Sequence, residues 1–113
     1  TNADWGKMTI AAGTCHWMAP EVFTGHHYDE KVDVYSYSMI LFEIICREIP
    51  FEDEEPAAVG RLTINGHRPD LEAVPPDCPE PLRSLMIACW AGDAKKRPPF
   101  DMVVEVLNAI SLP

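Results

Sequence analysis

The chain has 113 residues, enough for one domain with a core of its own and too few for two. With 47% apolar and 24% charged residues, its composition excludes a disordered or fibrous protein. Eighteen acidic against nine basic side chains give a net charge of −9, which argues against nucleic acid or an anionic membrane as a partner.

Residues 1–13 have no sustained hydrophobic period and read as loop. Pro20-Glu21-Val22-Phe23 suits a short helix, because proline at the first helical position lacks only an N–H that would be unpaired there anyway, and Gly25 stops it. Asp29 can cap a second helix running to about Arg47, with Glu30 in the dipole-favoured first turn. Its apolar residues, from Val32 to Ile45, cover nearly all faces, as expected of a central helix surrounded by other elements. A strand competes for such a run, but strands of this length are unusual. The 13 residues Val34–Cys46 also include Ser36, Ser38 and Glu43, and a bilayer span needs about 20 apolar residues, so a buried helix is the better reading.

Ile49-Pro50-Phe51 ends that helix. Glu52-Asp53-Glu54-Glu55 reads as a solvated acidic entrance to the next one, with selection of basic substrates as the alternative. A short, fairly exposed helix is predicted from Pro56 to about Asn65, closed by Gly66, with Val59, Leu62, Ala58 and Ile64 as its apolar side and Gly60 as a propensity cost. The proline-rich stretch from His67 to Pro81 is an extended connector. Leu82, Leu85, Met86, Cys89 and Trp90 then recur at i, i+3, i+4, i+7 and i+8, an amphipathic helix with Gly92 just past its end. Pro98-Pro99 precedes a last helix whose predicted face is Phe100, Val103, Val104, Leu107 and Ile110. No strand of any strength occurs, so the predicted fold is all-α: about four helices plus a short one around a buried central helix.

The four cysteines, Cys15, Cys46, Cys78 and Cys89, lack CxxC or zinc spacing, and the four histidines, His16, His26, His27 and His67, lack ligand spacing, so no metal site is expected. Cys46 and Cys89 fall in apolar helical patterns and read as core residues. A reduced, cytoplasmic protein without a signal peptide fits these features.

Gly13-Thr14-Cys15-His16-Trp17-Met18-Ala19-Pro20-Glu21 resembles the end of a protein kinase activation segment, the Ala-Pro-Glu motif with its preceding substrate-binding loop. Asp33-Val34-Tyr35-Ser36-Tyr37 resembles the family's central-helix signature. Cys89-Trp90 and Lys96-Arg97-Pro98-Pro99-Phe100 resemble its closing signature. The three occur in family order and cover about residues 7–110. The pattern is most similar to the tyrosine kinase-like serine/threonine kinases, Raf-like or mixed-lineage-like. By this resemblance the chain is part of a kinase catalytic domain, with residues 1–21 the end of the activation segment and residues 22–113 the helical C-lobe.

The resemblance implies roles residue by residue. Gly13, Thr14, Cys15, His16 and Trp17 form the substrate-binding loop. Thr14 supports catalysis by bonding the catalytic loop and favours Ser/Thr acceptors; a threonine bonding its own loop backbone is the plainer reading. Glu21 and Arg97 form a structural charge pair. Asp33 accepts from catalytic-loop N–H groups, or is simply a first-turn carboxylate, and Trp90 is a structural core residue. Thr9 is a candidate phosphosite, against a plain solvated threonine. Tyr35 stands where many relatives have Trp, Ser38 where many have Gly, and Pro99 where many have a capping Ser.

No Gly-rich loop, Val-Ala-Ile-Lys lysine, His-Arg-Asp or Asp-Phe-Gly occurs in the 113 residues. ATP and Mg²⁺ are therefore expected as cofactors of the full domain and not of this chain, which alone is predicted inactive. The expected partners are protein substrates and the rest of the kinase domain, meaning the N-lobe and catalytic loop. A pseudokinase or non-catalytic docking scaffold is the alternative function.

Overall fold

The computed structural model describes residues 15–25 and 29–110. They form five α-helices: α1 (Pro20–Phe23), α2 (Glu30–Cys46), α3 (Pro56–Ile64), α4 (Glu80–Cys89) and α5 (Phe100–Ala109). Three single 3₁₀ turns, Cys15–Trp17, Leu71–Ala73 and Ala94–Lys96, punctuate the connections, and no strand occurs among the described residues. The all-α architecture with one short helix and a long central one is as the sequence predicts.

Each helix begins for a local reason. Pro20 and Pro56 open α1 and α3, and Pro81 sits in the first turn of α4, where a missing N–H costs nothing. Asp29 caps α2, its carboxylate accepting the Lys31 N–H at 2.9 Å. The same device, a carboxylate accepting an N–H two residues on, starts two of the 3₁₀ turns, through Asp70 to Glu72 and Asp93 to Lys95. At the far end of α2 the chain turns through Arg47 in the left-handed region, with φ 57°, and its N–H bonds the Glu43 carbonyl at 2.8 Å. Phe51, four residues on, is also left-handed at φ 56°, a strained setting for a bulky residue.

α2 is the spine. Val32, Tyr35, Met39 and Phe42 make one stripe, buried against Met86 and Trp90 at the end of α4 and against Ala19. Val34 joins Leu85, Cys89 and Val103 in a second cluster that brings in α5. Met18 and Val59 form a third, tying the start of the chain to α3.

Four expectations change. α2 is not apolar-packed all round: Ile40 and Ile44, one turn apart, are 46% and 68% exposed, so one side is bare among the described residues. α5 is rotated from the predicted face. Val103, Val106 and Leu107 turn inward while Val104 is exposed, because the i, i+3, i+4 stripe starting at Val103 meets Leu85 and Cys89. α3 turns Ile64 outward, 48% exposed, and leaves Leu62 half-buried; Val59, Gly60 and Thr63 are its buried residues. Gly60 is a close approach and not merely a propensity cost: a Cβ there would lie 2.7 Å from Cδ1 and 2.9 Å from Cγ of Phe23.

Candidate functional site

The site grows from the segment leading into α1. Cys15–Trp17 is a 3₁₀ turn, followed by Met18 and Ala19, both buried, and then α1. Two side chains of α2 hold this segment. The Trp17 indole N–H donates to Oε1 of Glu43 at 3.1 Å, and the Ser36 hydroxyl donates to the Trp17 carbonyl at 2.7 Å. Ser36 and Glu43 are seven residues apart, two helical turns, and therefore share one face of α2. The His16 ring lies against Trp17, centroids 5.7 Å apart, and its Nε2 is buried without a partner among the described residues.

Behind the segment sits a buried charge centre. The Arg97 side chain is completely buried and Glu21 nearly so, at 16% exposed. Nη1 of Arg97 meets Oε2 of Glu21 at 2.7 Å and Nη2 meets Oε1 at 2.9 Å, a bidentate pair. Nε donates to the Ala91 carbonyl, Nη1 also to that of Lys31, and Nη2 also to that of Gly92. A guanidinium has five N–H donors, and five acceptors surround this one. In return the Lys31 ammonium donates to the Arg97 carbonyl. Such full satisfaction offsets the large cost of removing two charges from water.

Tyr35 contacts two arginines. Its ring lies under the guanidinium carbons of both Arg97, 5.1 Å from the centroid, and Arg68, 5.3 Å. Arg68 in turn donates to the carbonyls of Trp90, Thr63 and His67. The Tyr35 hydroxyl is buried with no partner among the described residues, and burial pushes its pKa up to about 12 against the pull of the two arginines. Burial likewise pushes the Cys89 thiol up to about 11, opposed by Arg97, and raises the Cys46 and Cys78 thiols.

Of the residues singled out in the sequence, Glu21 and Arg97 are in contact. Trp90 is buried at the end of α4 against Phe42, ring centroids 6.5 Å apart. Asp33 lies exposed in the first turn of α2. His16 and Trp17 are in the 3₁₀ turn with the Cys15 backbone. Thr9, Gly13 and Thr14 lie outside the described residues. Ser36, Glu43 and Lys31 were missed; the signal for the first two was a pair of polar residues two turns apart inside a buried helix. Among the described residues no group of three His, Cys, Asp or Glu side chains could hold a metal, and no helix is long and apolar enough to cross a membrane.

Comparison with known proteins identifies the family. A family model described as protein tyrosine and serine/threonine kinase matches residues 4–107. The chain belongs to the protein kinase family. A probable LIM domain-containing serine/threonine-protein kinase of Dictyostelium discoideum is 40% identical over 111 residues, covering 97% of this chain and 17% of that protein. The serine/threonine-protein kinase VIK of Arabidopsis thaliana is 40% identical over 104 residues, 92% of this chain and 23% of the relative. Mitogen-activated protein kinase kinase kinase 7 of Bos taurus is 40% identical over 103 residues, 89% of this chain and 17% of the relative. The chain thus spans less than a quarter of the length of these kinases.

Proposed function

We propose that the chain is the substrate-loop and helical part of a serine/threonine protein kinase domain, residues 1–21 ending the activation segment and residues 22–113 forming the C-lobe. In the complete protein that domain transfers the γ-phosphate of ATP to Ser or Thr hydroxyls of protein substrates. The observation that carries this reading is the double anchoring of the segment around Trp17: the Glu21–Arg97 pair behind it and the Ser36 and Glu43 bonds from α2. Phosphoryl transfer depends chiefly on positioning and electrostatics, and a substrate loop anchored at Trp17 and through Glu21 just after it supplies the first.

In this reading Gly13, Thr14, Cys15, His16 and Trp17 contact the acceptor peptide, and Thr14 helps place its hydroxyl. Asp33, exposed on α2, receives N–H groups of the catalytic loop, and Thr9 is a site of activating phosphorylation. The bare Ile40 and Ile44 side of α2 meets the rest of the kinase domain. The nucleotide and Mg²⁺ do not fit this chain's own residues, since none of the phosphate-cradling or metal-binding motifs is among them. The chain alone is therefore inactive, and the whole protein works in the cytoplasm.

The test is a phosphotransfer assay on the complete protein with labelled ATP, followed by phosphoamino acid analysis. Phosphoserine or phosphothreonine is expected, with kcat falling about 10- to 100-fold in Thr14→Ala, in the range of a lost positioning contact. Binding of protein partners without any phosphate transfer would replace this reading by that of a pseudokinase scaffold.

A further inference from the structure

An open groove of about 660 Å³ lies where the end of α2, the loop following it and the connector after α3 meet. That volume is in the range of ordinary ligand sites, about 300–1,000 Å³. Its apolar lining includes Phe42, Phe51 and Ile49, and Ile49 is 40% exposed. Glu48, Glu52, Asp53 and Glu54 line it from the loop after α2, and Asp70 and Glu72 from the connector. These six carboxylates are a third of the chain's eighteen acidic residues.

Two facts make the groove unlike an ordinary solvated acidic face. The carboxylates come from two separate segments that share an apolar floor. Among the described residues no Lys, Arg or His forms an ion pair with any of the six, and a single cation, Arg68, lines the groove against them, its guanidinium engaged by three backbone carbonyls. The potential in the groove is therefore negative, over a surface that gains by being covered.

We propose that this groove docks a basic linear segment of a partner protein, with arginines or lysines on both sides of one apolar anchor residue. Charge complementarity selects that occupant. A second copy of this chain, at net charge −9, would bring like charge to the groove, and nucleic acid or an anionic lipid surface would be repelled by it. The anchor rests on Phe42, Phe51 and Ile49, and the flanking cations meet carboxylates from the two segments. The inference concerns binding alone and stands whether or not the complete protein transfers phosphate.

The complete kinase domain is titrated with a fluorescein-labelled peptide carrying two arginines on each side of a central leucine, followed by anisotropy. Saturable binding is expected, weakened at least about tenfold by raising salt from about 50 to about 300 mM, since the Debye length falls from about 14 to about 6 Å. The triple variant Glu52→Gln, Glu54→Gln and Glu72→Gln should lose at least about tenfold in affinity. A charge-matched control, Glu30→Gln, Glu80→Gln and Glu105→Gln, exposed and outside the groove, should bind as the parent does. A peptide with glycine in place of the leucine should bind more weakly. Equal losses in the two triple variants, indifference to the leucine, absence of binding, or self-association of the domain that the groove variant abolishes would each overturn the proposal.

Discussion

Arg97 and Glu21 stand 76 residues apart in the chain and meet through two hydrogen bonds of 2.7 and 2.9 Å, at a point where the arginine has no contact with solvent. Every donor of the guanidinium is used, so the pair cannot be weakened from one side without stranding the other. Arg97→Ala should therefore destabilise the protein by about 3–5 kcal/mol, since it leaves a carboxylate facing an emptied, largely buried site. Glu21→Gln strands the fully buried guanidinium and turns an amide N–H toward one of its donors, so it should cost a similar amount. Urea unfolding followed by circular dichroism checks this; a loss below about 1 kcal/mol in either variant would contradict it.

Gly60→Ala looks favourable by helix propensity, which gains about 1 kcal/mol on leaving glycine. The Phe23 ring reverses that expectation. With ring carbons 2.7 and 2.9 Å from the new methyl, either α1 or α3 must move, at about 1–3 kcal/mol. Phe23→Leu should recover most of the loss in the double variant. A melting-temperature series on the single and double variants decides it, and a stabilised Gly60→Ala protein would show that the two helices can slide apart freely.

Arg47 ends α2 in a left-handed conformation while its side chain is exposed. Glycine carries no Cβ penalty there, so Arg47→Gly should stabilise the protein by about 0.5–1 kcal/mol, the saving in backbone strain less the entropy glycine loses on folding. The melting temperature should rise.

Alkaline pH acts on two buried acids. Cys89 is raised from 9.0 to about 11 and Tyr35 from 10.0 to about 12, both by burial. Each folded-state pKa lies above the unfolded one, so the neutral forms support folding, with full effect below pH 9. That support declines through pH 9 to 11 for Cys89 and 10 to 12 for Tyr35, because the unfolded chain releases its protons first. Unfolding free energy measured across this range should fall, and Tyr35→Phe should flatten the slope above pH 10. At neutral pH the same variant removes an unpartnered buried hydroxyl and should be neutral or stabilising by about 1 kcal/mol.

Helix positions could be read from periodicity and from punctuation by Asp29, Pro56, Gly66 and Gly92, because these act locally. Rotation of the helices was harder. α5 offers apolar residues on several sides, and which of Val103 and Val104 turns inward depends on where Leu85 and Cys89 stand, which no local pattern contains. Gly60 misled for the same reason: its use is visible only once Phe23 lies across it. In the candidate site, Glu21 and Arg97 were found through motif resemblance. Glu43 and Ser36 look like blemishes in an apolar run until their partner, Trp17, is placed beside them.

The contact of the Tyr35 ring with both Arg68 and Arg97 has a thermodynamic consequence for distant parts of the chain. Two cations that would repel each other both lie about 5 Å from the centre of one ring, so each guanidinium's resting place depends on how the other holds that ring. Arg97 secures α1, while Arg68 secures the connector between α3 and α4 through carbonyls on both sides of it. Losses at the two arginines should then fail to add in a double-mutant cycle. Ordering of the connector and ordering of the Trp17 segment are, through one phenol ring, a single cooperative quantity.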